Sequence, residues 1–400
     1  MITSEGFWHT DEVITNPYTP RSLPALLAGR ARELAIGDQV LVPVLSSGRA
    51  AEGAVVLFGV RGIGKTSTLR EMAHRAQSQG MVTAWMSAAR QQPLLSSMPL
   101  AIYTALESAE VISRGTWTFD QFRLEVGLPL FKVSATASRT SDTGESQWTV
   151  GSVERLLRET ARLCHERGSG QGGGLLLLID ELHAVRRDEL AVLLNALQNI
   201  AHDRLFSPPF AFFGAGLPSV RGVLTQAATF GERTEFVHIS TLTDTAAREA
   251  LAQPAADLSV TWDTDALAYV ASQSRGFPFF VQLFGFTIWA AVNPVAGGHI
   301  SLEQARQGVK AARSEVENLF VARIDAASSS EMDFMLALAS VAGDQPAKRS
   351  DIAQKLGRST HEISEVRSRL LDKAVITEER YGYVQFTLPG FAEFLLETVA

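Results

Sequence analysis

The chain has 400 residues, 46% hydrophobic and 20% charged, with a formal net charge of -7. That length allows two or three domains with a large buried core, and the acidic balance excludes a surface that coats nucleic acid everywhere, leaving only a local basic face. The single cysteine, Cys164, excludes an internal disulfide framework and a zinc site of several thiolates; within the helical pattern RETARLCHERG it reads as a buried structural thiol.

The opening MITSEGFWHTDEV has no basic start followed by an apolar run, so no secretory signal is expected. Residues 1–25, with Pro17, Pro20 and Pro24, read as irregular. Residues 26–242 read as one α/β domain. LAGRARELA (27–35) begins a helical pattern, and GAVVLFG (53–59) is the first strong strand. The loop FGVRGIGKTS (58–67) leads into an amphipathic helix stopped at Gly80, and MVTAWMSA (81–88) is a second strand. Strand, helix and strand in that order imply a right-handed parallel crossover.

An insertion at 114–150 interrupts the pattern: TWTFDQFRLEVGLPLFKV alternates like a β-hairpin, and the polar stretch after it reads as mobile. A helical segment and the glycine-rich 168–174 then lead into LLLLID (175–180), a continuous apolar run of the kind buried on both faces of a parallel sheet. A helix around 187–203 and the strands PFAFFGAG (209–216) and TEFVHIS (234–240) complete the domain.

Residues 243–326 read as an all-α lid. Its segment FPFFVQLFGFTIWAAV (277–292) falls short of the ~20 residues a membrane span needs and is interrupted by Gln282. A buried helix and a cytoplasmic protein without membrane contact are expected. Ser301/Gln304, Ser328/Glu331 and Ser359/Glu362 carry capping-box spacing at three helix starts. Over 327–400, three helices followed by two short strands around Tyr381-Gly382 give the order of a winged helix-turn-helix. No repeat of 20 to 50 residues is present.

Gly59–Thr66 fits G-x-x-x-x-G-K-[ST] between a predicted strand and a predicted helix. Gly59, Gly62 and Gly64 let the backbone wrap phosphates without Cβ clashes. Val60, Arg61, Ile63, Lys65, Thr66 and Ser67 complete the expected nucleotide contacts at a helix N-terminus. Lys65 is expected to reach the β- and γ-phosphates and the Thr66 hydroxyl to coordinate Mg²⁺. Asp180, ending a buried strand, is placed to hold the Mg²⁺ shell, and Glu181 to polarise the attacking water. ATP and Mg²⁺ are the expected cofactors. DELH (180–183) is also a DExH-like string, but the helicase reading needs a second nucleotide-binding lobe; His183 reads instead as a local hydrogen-bonding side chain.

Between Lys348 and Lys373 seven basic residues face four acidic ones. Arg358, His361, Ser364, Arg367, Ser368 and Arg369, with Arg380 at the wing, are the candidate contacts to double-stranded DNA. Glu362, Glu365, Glu378 and Glu379 lie among them, so protein docking or packing is the competing reading.

Taken in order, LAGRARELA, the glycine loop, LLLLIDELH, FFGAGLPSV, GERTEF, SRGFPFFVQLFG and the C-terminal module resemble the AAA+ ATPases of the origin-recognition and archaeal-initiator type, and their bacterial relatives with a C-terminal winged helix. The resemblance covers about 25–400. It implies a P-loop NTPase sheet with helices on both faces, a helical lid and a winged helix. It makes Gly29 and Arg30 neighbours of the nucleotide. It places Arg233 where such proteins carry an arginine finger that reaches the γ-phosphate of an adjacent subunit, which implies self-association. Two departures stand out: FAFFGAG lacks the Asn, Ser or Thr of the sensor-1 position, and Phe279 replaces the sensor-2 arginine, with Arg275 nearby. Slow or partner-stimulated hydrolysis is the expectation. The implied role is a nucleotide-controlled DNA-binding switch or assembly factor in a replication- or transposition-like transaction. The alternative is a signalling or defence ATPase whose winged helix and insertion bind proteins.

Overall fold

A computed structural model describes residues 14–89, 92–112, 118–126, 148–167, 173–203, 207–378 and 380–399. They divide into two compact units. One comprises Ala31–Val60 and Lys65–Ile239; the other takes the N-terminal residues through Arg30, the loop tip Arg61–Gly64, and Ser240 onward.

The first unit is built on a five-stranded sheet of β1 (Val55–Phe58), β2 (Val82–Ser87), β3 (Leu175–Asp180), β4 (Phe210–Gly216) and β5 (Glu235–His238). Its order is β2-β3-β4-β1-β5, and every pairing is parallel. β3 and β4 are buried along their whole length, so both of their faces need apolar side chains, and LLLLID and FAFFGAG supply them. The register pairs Phe58 with Gly216 and Ile179 with Gly214, which brings the carboxyl ends of β1, β3 and β4 to one edge. In open α/β sheets that edge is where ligands bind.

The helices of this unit are α1 (Ala31–Ser47), α2 (Lys65–Ser78), α3 (Leu94–Ser108), α4 (Phe119–Glu125), α5 (Val150–Arg167), α6 (Arg187–His202) and α7 (Val220–Ala227). The expected hairpin does not form over 119–125. Thr118 and Gln121 make a reciprocal capping box, and Phe122 and Val126 are buried four residues apart, the spacing of a helical face. Residues 114–117 and 127–147 of that insertion lie outside the described residues, as do 168–172. Cys164 on α5 is fully buried, and burial pushes its thiol up to about 12, so it remains a neutral core side chain.

The second unit is helical through α8 (Asp244–Ala256), α9 (Thr264–Ser274), α10 (Pro278–Val292) and α11 (Leu302–Asp325), with a two-residue pairing of β6 (Thr261–Trp262) and β7 (His299–Ile300). α10 is apolar all round because it is the buried member of this group: Phe280, Val281, Leu283, Phe284, Ile288 and Trp289 are all core. Among the described residues, no helix is long and apolar enough to cross a membrane. The N-terminal stretch, irregular over the described residues 14–25, contributes a core side chain. Tyr18 is 1% exposed, donates from its hydroxyl to Leu251 O at 2.5 Å, and accepts from Trp262 Nε1 at 3.0 Å. Gly285 makes room for it, since a Cβ there would stand 2.7 Å from the ring.

The chain continues through α12 (Ser329–Ala342), β8 (Ala347–Lys348), α13 (Arg349–Lys355), α14 (Ser364–Asp372), β9 (Ile376–Thr377), β10 (Tyr383–Phe386) and α15 (Phe391–Val399). β8, β10 and β9 form an antiparallel three-stranded sheet in that order. The Ser301 and Ser328 capping boxes are both made. The Ser359–Glu362 hydrogen bonds are also made, but they close a turn, and α14 begins only at Ser364.

Candidate nucleotide site

The loop after β1 turns through two residues only glycine adopts readily: Gly62 has φ +83° and Gly64 φ +99°. α2 begins directly after it, so its free N–H groups open toward the loop. Lys65, 6% exposed, donates from Nζ to Val60 O at 2.8 Å, which folds the ammonium back over the loop. Thr66 donates its hydroxyl to Asp180 Oδ2 at 2.7 Å, and Asp180 Oδ1 accepts the N–H of Glu181 at 2.8 Å. Both oxygens of a carboxylate only 5% exposed are therefore used. The parallel register of β1, β4 and β3 makes this meeting of residues 66 and 180 possible.

Glu181 leaves the sheet in the left-handed conformation, φ 56°, and its side chain remains one-third exposed. His183 Nε2 lies 3.3 Å from Glu181 Oε2, while its Nδ1 accepts the N–H of Leu217, the residue after β4, at 3.3 Å.

The loop tip is tied down within the second unit. Arg30, 3% exposed, donates to Ile63 O at 3.0 Å and to Ser240 O at 2.8 Å. It thus braces the loop by its backbone. Gly29 has φ +67°, and a Cβ there would meet the Ala246 Cβ at 2.6 Å, so close packing and backbone hand both select glycine. Ile63 is buried, Ser67 lies in α2, and Arg61 is exposed. Arg61 and Gly62 line an open cavity of about 530 Å³ with Phe277, Phe279, Arg323 and Lys373. Burial, reinforced by the nearby Arg61 charge, pulls the Arg323 guanidinium down to about 10.

Arg233 ends a short 3₁₀ turn before β5, is exposed, and contacts His202 Nε2 rather than the neighbouring glutamates. Arg275 is paired with Asp344 and lies 3.8 Å from Glu393, while the Phe279 ring lies tilted against that of Phe280, 6.0 Å between centroids. The candidate DNA contacts split into two groups. Arg367 is bound to Glu378, Arg369 reaches Glu365 and lies 3.5 Å from the buried Glu331, and Ser364 donates to Thr360 O. Arg358, His361, Ser368 and Arg380 are exposed. Sequence patterns carried no sign of Leu217 or Tyr18, because one acts through its backbone and the other through contacts more than 200 residues away.

The donor set suits a hard cation. One carboxylate and one hydroxyl converge, and among the described residues no group of three or more His, Cys, Asp or Glu forms a self-sufficient metal cage. Mg²⁺ bound through a carboxylate, a hydroxyl and substrate phosphates has that requirement.

Comparison with known proteins agrees with this geometry. The AAA ATPase domain family matches residues 26–207, and a domain of unknown function (DUF8462) matches residues 317–395. A search of curated proteins returns no match. The Walker-type ATPase of Pyrococcus abyssi is 15% identical with a TM-score of 0.56, over 92% of this chain and 96% of that one. The Aeropyrum pernix ORC2 protein, solved in ADPNP and ADP complexes, is 14% identical with a TM-score of 0.57, over 95% and 96%. Residues 26–207 match the AAA ATPase domain family, and the chain shares its fold with these archaeal proteins.

Proposed function

We propose that this ATPase is a nucleotide-controlled DNA-binding switch or assembly factor, with Mg²⁺-dependent ATP hydrolysis in the first unit and a winged helix-turn-helix at 327–400 as the DNA-contacting module. The observation that carries the DNA assignment is a cluster of cations around the β8–β10 sheet. Lys348 is paired in register with Tyr383, Arg349 donates its N–H to Gly382 O, and Arg380 lies over the Tyr383 ring at 4.7 Å. Among the described residues none of these three makes an ion pair, and the adjoining Tyr381 is 91% exposed. Unpaired cations flanking an exposed aromatic suit phosphate contact better than Arg367 and Arg369, whose charges are already matched.

At the nucleotide, the loop N–H groups and Lys65 hold the phosphates, and Thr66 with Asp180 would hold Mg²⁺. Bound there, the cation would neutralise phosphate charge. Glu181 orients the attacking water and accepts its proton, a role worth roughly 10²–10⁴-fold in rate. Replacing it by Gln should lower turnover by about that factor, leaving a measurable residual rate and ATP binding intact. Arg233 is proposed to act at a neighbouring subunit, and hydrolysis is proposed to be slow without a partner.

The test is anisotropy with duplex DNA across salt, with ATP and with ADP. The triple variant K348A/R349A/R380A should bind more weakly and lower the salt slope by about 2.7, at about 0.9 per phosphate contact. Arg367→Ala should change the slope little. Binding that is undetectable at low salt in both nucleotide states removes the DNA assignment. The second reading, a signalling or defence ATPase docking proteins, is favoured by the internal pairing of Arg367 and Arg369.

A further inference from the structure

We infer that His183 positions the carboxylate of Glu181 for hydrolysis, bridging the end of β4 to the residue that orients the water. The inference rests on the reading of Glu181 given above. It begins from what β4 lacks. A Cβ at Gly214 would stand 2.2 Å from Leu182 Cδ1, and Leu182 is fully buried. A Cβ at Gly216 would stand 2.9 Å from the Val220 side chain. A side chain at either position would have to displace Leu182 or Val220, and as glycines both positions offer only their backbone.

The backbone group that meets His183 is the N–H of Leu217, the residue after β4. Its bond to His183 Nδ1 makes Nδ1 the acceptor and puts the ring proton on Nε2, the nitrogen 3.3 Å from Glu181 Oε2. His183 is only 11% exposed, so its ring is held in place. Glu181 needs such a partner more than most glutamates. Its left-handed backbone is an uncommon state for a side chain with a Cβ, and a long, partly exposed carboxylate has several rotamers to lose. Both contacts are long for hydrogen bonds, as pre-catalytic contacts often are before substrate tightens the site. A neutral imidazole thus does what a polar strand residue would otherwise do, and its acceptor side is anchored to a strand of the central sheet.

Two substitutions separate the halves of the bridge. In His183→Asn the shorter amide occupies the Nδ1 position and keeps the Leu217 bond but cannot reach Glu181. In His183→Gln an acceptor and a donor are both retained at imidazole-like separation. Steady-state ATP hydrolysis and binding of a fluorescent ATP analogue are measured for both, alone and with Glu181→Gln. H183N should lower kcat about 10- to 100-fold with KM and analogue affinity unchanged, and H183Q should stay within about threefold of the parent. In the E181Q background H183N should cost nothing further. The inference is overturned if H183N retains parental kcat, if both variants fall alike, or if H183N lowers the residual E181Q rate by the same factor. If E181Q itself turns over normally, it is the assignment of Glu181 that fails, which is a separate outcome.

Discussion

Replacing Glu331 by Gln tests how the C-terminal module is held together. Its side chain is 1% exposed; it accepts the Ser328 N–H at 2.7 Å and the Lys373 ammonium at 2.7 Å, and Arg369 Nε lies 3.5 Å away. Burial opposes its charge, yet the Lys373 and Ser328 hydrogen bonds outweigh it and hold the carboxyl down to about 2 against 4.5. At about 1.36 kcal/mol per unit, that difference corresponds to an upper bound of about 3.4 kcal/mol at neutral pH. Lys373 and Arg369 are each 41% exposed, so solvent screening reduces the bound, and about 2 kcal/mol is expected. The sign follows from a depressed folded-state value. The stabilisation is complete above the unfolded value of 4.5 and is lost as pH falls from there toward about 2. Urea melts of parent and E331Q at pH 7 and pH 3.5 measure it, and the gap should shrink by roughly two-fifths between them. A gap of equal size at both pH values would refute the reasoning, because an uncharged packing defect does not titrate.

Three further outcomes are expected. Tyr18→Phe leaves the buried Trp262 N–H without its hydroxyl partner and should cost about 1–3 kcal/mol, read by tryptophan fluorescence in urea; a neutral effect would mean the N-terminal stretch is not pinned there. Lys65→Ala should abolish binding of a fluorescent ATP analogue, whereas Asp180→Asn should weaken it chiefly when Mg²⁺ is present; a K65A variant that binds normally would contradict the loop assignment. Arg275→Ala removes the contact to Asp344, whose carboxylate also caps α15 through the N–H groups of Gly390 and Ala392. It should lower the melting temperature without changing analogue affinity, and an affinity loss comparable to that of K65A would instead assign Arg275 to the nucleotide.

The conformation of the glycine loop is legible in the chain itself. Glycines at 62 and 64 are needed for positive φ, and a lysine and threonine at the start of a helix are local requirements that a short string expresses. The parallel sheet was equally legible, because strands buried on both faces must be continuous apolar runs such as LLLLID. The segment 119–125 is ambiguous in sequence because a short run with spaced aromatics satisfies periods of two and of 3.6 alike, and the capping pair Thr118–Gln121 decides between them.

The rest needed the tertiary structure. Strand order brings Thr66 to Asp180, 114 residues apart, and sets Leu217 beside His183. The same holds for charge. Arg367 and Arg369 look like DNA contacts in a one-dimensional count, but folding matches them to Glu378 and Glu365, whereas among the described residues Lys348, Arg349 and Arg380 make no ion pair. A motif specifies the groups available to a site, because its geometry is carried by neighbouring residues. Which groups are spent on internal partners depends on contacts between distant segments, and the fold alone decides those.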